Sequence, residues 1–175
     1  SPRRREIVEA LDPVPECVSP VGDESPPRPG ESPEEYILRL SLDKARGVAE
    51  MAGTATVLGA DTVVALDGEI LGKPVDLDDA TRMLRMLSGR VHSVVTGVAA
   101  LDTRTGRSAA VARESRVTIR PLSEAEVAAY VASERPLDKA GAYAVQDKRA
   151  SLAEAVEGCY LNVVGLPLCE VTTLL

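Results

Sequence analysis

An apolar stretch that ends in a tight turn constrains the fold of this chain more than any other feature. Residues 56–66 are mostly apolar or β-branched, which is typical of a strand. Asp67-Gly68 follows as a two-residue hairpin turn, and residues 69–71 supply a short returning strand. The sequence therefore predicts a β-hairpin over residues 56–71.

Helical and strand patterns alternate along the rest of the chain. Ser32, Pro33 and Glu35 form a capping box that predicts a helix running to about Met51. Further helices are predicted at 4–11, from 76–79 to 87, from 123 to about 133 and from 167 onward, and further strands at 91–101, 109–119, 142–146 and 151–156. This mixture favours the α/β or α+β class with a mixed sheet.

Seven prolines lie within residues 12–33, a density that excludes a regular helix or a central strand. We interpret this segment as a surface loop of one domain rather than a linker between two. The chain opens at Ser1-Pro2-Arg3 without a Met, from which we expect that an N-terminal segment is missing.

Composition excludes several classes of protein. The net charge of −7 argues against a generic nucleic-acid coat protein, and no apolar run approaches the roughly 20 residues of a membrane span. Three cysteines without a Cys-x-x-Cys pair indicate reduced thiols in a cytosolic protein, in core or partly buried positions. The single histidine, His92, excludes a multi-histidine metal centre and is assigned to a strand surface.

Common nucleotide and hydrolase motifs are absent. The chain has no Gly-x-Gly-x-x-Gly, no Gly-x-x-x-x-Gly-Lys-Ser/Thr and no Gly-x-Ser-x-Gly. Dinucleotide enzymes, P-loop NTPases and the usual serine hydrolases are therefore not favoured.

The N-terminal run Ser1-Pro2-Arg3-Arg4 is the first candidate site feature. A Ser-Pro turn into a helix brings backbone N–H groups and two guanidinium groups to one point, which suits a phosphate. Taken alone, the run is more often a solvated basic terminus.

Asp61 is the second candidate, because it is a carboxylate inside an apolar strand. Gly59 and Ala60 leave room for a close approach, and alternation places Asp61 on the face opposite Thr62. The alternative is the exposed polar face of a half-buried strand.

Two connectors provide further candidates. Lys73 stands on the braced turn Gly72-Lys73-Pro74, and residues 137–146 place Lys139 and Gln146 around small residues. Each has an ordinary alternative, a turn lysine and a tight connector into a strand. Together the candidates suggest a phosphoryl-transfer site, with cations for phosphates and carboxylates for Mg²⁺ and for activating water. The cations are Arg3, Arg4, Lys44, Lys73 and Lys139, and the carboxylates are Asp61, Glu24 and Asp138.

Six collinear blocks resemble the Maf family over nearly the whole chain. They are residues 1–4, 57–64, 67–74, 83–92, 136–143 and 163–168. The resemblance implies a cytoplasmic nucleoside triphosphate pyrophosphatase that converts an NTP and water into NMP and pyrophosphate with a divalent cation, Mg²⁺ or Mn²⁺. It also implies a single domain over residues 1–175. The implied fold is an elongated α/β structure with two lobes around a central cleft, similar to inosine-triphosphate pyrophosphatases, and a homodimer.

Site roles follow from the same resemblance. Asp61 matches the catalytic base, Lys44 and Lys73 match two site lysines, and Glu24 matches an acidic residue near the metal. Ser1, Arg4 and Lys139 are further expected substrate contacts, and Arg3, Thr62 and Gln146 match positions that differ between subfamilies. Their identities resemble the branch acting on dTTP and UTP, with modified pyrimidine nucleotides as further plausible substrates.

Two alternatives stay open. One is 7-methyl-GTP pyrophosphatase activity, against which Arg3 and Gln146 argue. The other is a nucleotide-sensing regulator of septum formation and cell division. One departure from the family is the run after Gln146, where Lys148 and Arg149 add positive charge in place of a Gly-rich sequence.

Overall fold

A five-stranded antiparallel sheet lies at the centre of the computed structural model, which describes residues 1–19, 24–133, 136–147 and 151–175. The strands are β1 (Thr56–Leu66), β2 (Glu69–Leu71), β3 (Val91–Asp102), β4 (Ser108–Ile119) and β5 (Ala153–Glu157), in the order β2-β1-β3-β4-β5. The hairpin at 56–71 forms as predicted, with positive φ at both Asp67 and Gly68. All four strand pairings described are antiparallel. The mixed sheet predicted from the sequence is therefore not found among these residues, since a mixed sheet needs at least one parallel pair.

Six α-helices accompany this sheet in the described part of the chain, which confirms the α/β class. They are α1 (Pro2–Val8), α2 (Pro33–Ala49), α3 (Leu77–Leu87), α4 (Glu124–Ser133), α5 (Tyr160–Val164) and α6 (Leu168–Leu174). The capping box predicted for α2 is present, since Ser32 and Glu35 exchange hydrogen bonds. None of the described helices is long and apolar enough to cross a bilayer.

Helix α2 packs directly on one face of the sheet because two glycines remove the side chains beneath it. A Cβ built on Gly59 would lie 2.0 Å from the Ser41 carbonyl oxygen, and one on Gly97 would lie 2.6 Å from that of Ile37. The glycines therefore set how closely α2 approaches β1 and β3.

The opposite face carries the main core. Val64, Leu84 and Ile119 belong to a large buried cluster where α3 and α4 cover the sheet. At the other end of this face, Val8 of α1 and Val171 of α6 pack on Val98 of β3. Aliphatic side chains make up most of the core, and three of the four tyrosines, Tyr36, Tyr130 and Tyr143, are buried in it as well.

The structure differs from the predicted elements at two places. The strand expected at 142–146 is absent, because residues 140–142 form a 3₁₀ turn with positive φ at Gly141 and Ala142. The Gly141 N–H donates to the Gly72 carbonyl at 3.0 Å, which fixes this turn beside the connector that carries Lys73. Helix α5 was not expected, because its five residues are too few to show a period. Lys148 and Arg149 lie outside the described residues.

His92 is not on a surface, contrary to the sequence prediction. Only 3% of it is exposed, and its Nε2 lies 2.6 Å from the Tyr143 hydroxyl. The prediction failed because the segment around Tyr143 covers this part of β3 instead of forming a strand of its own. Cys159 is half-buried as expected, but Cys17 and Cys169 are exposed, so the core assignment was wrong for those two.

Candidate active site

Asp61 carries a buried carboxylate in the part of β1 that has no strand partner on one side. Strand β2 pairs with β1 only over Val64–Leu66. Asp61 is 6% exposed; its Oδ1 accepts the Thr62 N–H at 2.8 Å, and its Oδ2 lies 2.8 Å from Lys44 Nζ. The exposed-face alternative is therefore wrong, because a charged group buried this deeply requires partners and has them.

Lys44 joins two carboxylates. It projects from α2, and its Nζ lies 2.8 Å from both Asp61 Oδ2 and Glu24 Oε1. Lys73 projects from the turn after β2, and its Nζ lies 3.0 Å from the same Glu24 oxygen. Helix, strand, turn and proline-rich loop thus meet at one point, which gathers four of the residues predicted from the sequence.

Glu24 stays ionised in this cluster. Partial burial alone would raise its pKa, but hydrogen bonds from Lys44 and Lys73 outweigh burial and lower it from 4.5 to about 2. The carboxylate is therefore negatively charged throughout the neutral range.

Arg4 reaches the cluster from the first turn of α1. Its Nε donates to the Gly165 carbonyl at 2.7 Å, and its Nη2 donates to Thr62 Oγ1 at 2.9 Å and lies 3.8 Å from Asp61 Oδ1. Burial lowers the pKa of the guanidinium, an effect that the Asp61 carboxylate opposes. Arg4, Lys44 and Lys73 thus surround Asp61 and Glu24, an excess of positive charge in a chain whose net charge is −7.

Arg3 and Lys139 lie at a neighbouring corner. Arg3 Nη2 donates to the Asp138 carbonyl at 3.3 Å, and the buried Lys139 lies 3.3 Å from Asp138 Oδ1. The bond between Gly141 and Gly72 connects this corner to the turn that carries Lys73. The Asp138 carboxylate therefore pairs with Lys139, and it lies apart from the Asp61 and Glu24 carboxylates.

Of the remaining predicted substrate contacts, Thr62 adjoins the cluster through Asp61 and Arg4, whereas Ser1 and Gln146 make no described side-chain hydrogen bond to it. Ser1 is the N-cap residue of α1, but its hydroxyl makes no capping bond. The Thr62 hydroxyl bonds to Arg4 and Thr96, on the face of β1 opposite Asp61. Gln146 follows Ala144, whose N–H donates to the Tyr130 hydroxyl, and the described hydrogen bonds do not connect Gln146 to the cluster.

Arg39 anchors the loop that carries Glu24, and the sequence prediction missed it. Its guanidinium forms a bidentate pair with Glu31 at 2.7 Å for each contact, donates to the Pro26 carbonyl at 3.1 Å and contacts Ser25. Arg39 and the loop meet only after folding, so spacing along the chain gives no sign of this contact. Its consequence is that the residue after Glu24 is held to α2.

The carboxylates present suit a divalent cation that arrives with its substrate. In the part of the chain described, no three His, Cys, Asp or Glu side chains come together as a metal cage. Mg²⁺ is commonly held by one or two carboxylates together with substrate phosphates and waters. Glu24 and Asp61, both contacted by Lys44, are two carboxylates that fit this arrangement.

Comparison with known proteins identifies the family. A family model described as "Maf-like protein" matches residues 1–175. The chain is 49% identical over 175 residues to a Myxococcus xanthus protein named dTTP/UTP pyrophosphatase, covering 100% of this chain and 87% of the relative. Identically named proteins are similar at 47% over 171 residues in Geobacter sp. strain M21 (98% and 88% covered) and at 44% over 175 residues in Pelotomaculum thermopropionicum (100% and 91% covered). With the family model matching from the first residue to the last, the chain belongs to the Maf-like protein family.

Proposed function

We propose that this protein is a nucleoside triphosphate pyrophosphatase that hydrolyses dTTP and UTP to the monophosphate and pyrophosphate. Relatives 44–49% identical over nearly the whole chain carry the name dTTP/UTP pyrophosphatase. The observation that carries the proposal is the buried Asp61 carboxylate, in contact with Lys44 and close to Arg4. A base ringed by cations suits attack by water on a polyanion.

Asp61 would orient and deprotonate the water that attacks the α-phosphorus. The bond between that phosphorus and the bridging oxygen to the β-phosphorus breaks, and pyrophosphate leaves with the bonding electron pair. Negative charge grows on the leaving group, so nearby cations favour the transition state over the substrate. Arg4, Lys44 and Lys73 are placed to do this, with Arg3 and Lys139 adjacent.

Glu24 has a second role in this proposal. Both lysines that contact it can turn to phosphate oxygens when a nucleotide enters, and this exchange leaves the Glu24 carboxylate without its cations. Glu24 and Asp61 would then hold Mg²⁺ or Mn²⁺. A divalent cation at this position supplies positive charge to the phosphate oxygens when bound.

Base selection and assembly rest on the resemblance. We assign selection between bases to Gln146 and Thr62, and further phosphate contacts to Ser1 and Arg3. The amide of Gln146 can both donate to and accept from a uracil or thymine edge. We also propose a single domain whose two lobes flank the cleft, and a cytoplasmic location. We further propose a homodimer, which sedimentation velocity tests directly.

A product assay tests the reaction. The protein is incubated with Mg²⁺ or Mn²⁺ and dTTP, UTP, CTP, GTP or 7-methyl-GTP, and pyrophosphate is measured separately from orthophosphate. We expect pyrophosphate from dTTP and UTP, and a loss of 10²-fold or more in kcat for Asp61→Asn with nucleotide binding retained. Orthophosphate release would contradict the proposal, and preference for 7-methyl-GTP would overturn the substrate assignment.

The matched control is Asp43→Asn. Asp43 precedes Lys44 on α2, but its side chain is about half exposed and pairs only loosely with Arg46, at 3.9 Å. The same chemical change there should leave kcat within about twofold of wild type. An equal loss in both variants would mean that charge in this region, rather than the Asp61 carboxylate, supports turnover.

A further inference from the structure

A row of hydrogen-bonded hydroxyl groups, here called the hydroxyl chain, runs from Arg4 across β1 and β3 to α5. Arg4 Nη2 lies 2.9 Å from Thr62 Oγ1, which lies 2.8 Å from Thr96 Oγ1, which lies 2.9 Å from the Asn162 carbonyl oxygen. Thr96 and Asn162 are fully buried. No catalytic step proposed above uses either residue, so the hydroxyl chain requires another explanation.

The direction of every bond in the hydroxyl chain is fixed. A guanidinium only donates and a carbonyl only accepts, and each threonine hydroxyl has one proton. Thr96 must give its proton to the Asn162 carbonyl, so Thr62 must give its proton to Thr96. The lone pairs of Thr62 are therefore turned towards Arg4.

The far end of the hydroxyl chain is held firmly. The Asn162 side chain donates from Nδ2 to the Val94 carbonyl and to Ser115 Oγ, each at 2.9 Å. Ser115 in turn bonds to the backbone of Cys159 just before α5. These contacts tie α5 to β3 and β4, and they keep the Asn162 carbonyl over Thr96.

Gly165 completes the cradle around Arg4. It ends α5 in a left-handed conformation, with φ of 116°, and its carbonyl accepts the Arg4 Nε–H. A Cβ there would lie 3.2 Å from Thr62 Oγ1 and 3.4 Å from Arg4 Nε. The guanidinium thus donates hydrogen bonds from Nε and Nη2. Among the described residues, none accepts a hydrogen bond from Nη1.

We infer that Thr96 is a positioning residue that, through Thr62, holds the Arg4 guanidinium with Nη1 presented to a phosphate group of the substrate. The inference rests on the proposed function for the identity of that phosphate compound. If Thr96 loses its hydroxyl, Thr62 has no acceptor for its proton, and the fixed lone pair facing Arg4 is lost. Thr96 contacts no substrate in this account and acts only through Thr62 and Arg4.

A double-mutant cycle on pyrophosphate binding tests this inference. Calorimetry with pyrophosphate and Mg²⁺ would compare wild type, Thr96→Val, Arg4→Ala and the double variant. We expect Thr96→Val to weaken binding about tenfold, Thr96→Ser to restore it to within about twofold, and Thr96→Val to add nothing once Arg4 is gone. Thr118→Val is the matched control: Thr118 lies on β4 and takes no part in the hydroxyl chain, so this variant should bind pyrophosphate as wild type does.

Several outcomes would overturn the inference: wild-type affinity in Thr96→Val, no rescue by serine, an equal loss in the Arg4→Ala background, or no pyrophosphate binding by wild type. If Thr96→Val does not fold, Thr62→Val at the half-buried position takes its place in the same cycle with the same expectations. Because the readout is phosphate binding, a wild-type protein that binds pyrophosphate but turns over neither dTTP nor UTP would contradict the proposed function and leave this inference standing.

Discussion

At the scale of single residues, the site places a charge where an apolar side chain would be expected. Asp61 lies in a strand whose neighbours are apolar, and it is tolerated because an ammonium group and a backbone N–H contact its two oxygens. The sequence made Asp61 conspicuous for this reason. Its partner Lys44 was one of the candidate cations, but the contact between the two could not be predicted, because helix and strand residues 17 positions apart meet only through the packing of α2 on β1.

Removing Lys44 should destabilise the protein more than removing Lys73. The Lys44 side chain is 16% exposed and supports a buried carboxylate, whereas that of Lys73 is 51% exposed. We expect Lys44→Met to lower the free energy of unfolding by about 3 kcal/mol, and Lys73→Met by less than about 1 kcal/mol. Urea denaturation measures both, and equal losses would show that Asp61 does not depend on Lys44. Adding Asp61→Asn to Lys44→Met should recover part of the loss.

His92 should make the stability depend on pH in the weakly acidic range. Burial lowers its pKa from 6.5 to about 4, so the unfolded chain takes up a proton before the folded protein does. The free energy of unfolding should therefore fall by roughly 3 kcal/mol as the pH drops from 6.5 to 4. In His92→Gln this part of the pH dependence should vanish. Parallel pH profiles for the two proteins would contradict the assignment.

At the scale of elements, predictions succeeded where a local signal was strong. The hairpin turn Asp67-Gly68 and the Ser32-Glu35 capping box each dictate local backbone geometry, and both formed. The strand predicted at 142–146 failed because Gly141 turns the chain with positive φ against Val64, a contact that depends on the tertiary fold. Helix α5 has a cysteine at its N-cap, so no capping signal announces it.

The placement of α2 depends on Gly59 and should be sensitive to a single methyl group. Gly59→Ala would put a Cβ 2.0 Å from the Ser41 carbonyl, which must push α2, and Lys44 with it, away from β1. We expect a loss of about 1–3 kcal/mol in unfolding free energy and a drop in kcat beyond what stability explains. Gly72→Ala is the control for unfolding, because a Cβ there meets nothing within 4 Å. Wild-type stability in Gly59→Ala would refute the packing argument.

At the scale of the whole molecule, the sheet separates two tasks. Its large core with α3 and α4 lies on one face, whereas the Asp61–Lys44 contact lies on the α2 face at an edge of β1 that β2 does not cover. The class of the fold could be predicted from patterning. The convergence of α1, α2, the proline-rich loop and the turn after β2 could not, because each supplies one charged residue with no common spacing along the chain.

Hydrolysis in ¹⁸O-labelled water tests most directly the claim that Asp61 serves attack at the α-phosphorus. UTP is incubated in labelled water with wild type and, separately, with Asp61→Asn, and mass spectrometry locates the label in any products. The account predicts one ¹⁸O atom in UMP and none in pyrophosphate, with turnover lost in the variant. Label in pyrophosphate would place the attack on the β-phosphorus, and undiminished labelling of UMP by Asp61→Asn would remove Asp61 from the reaction.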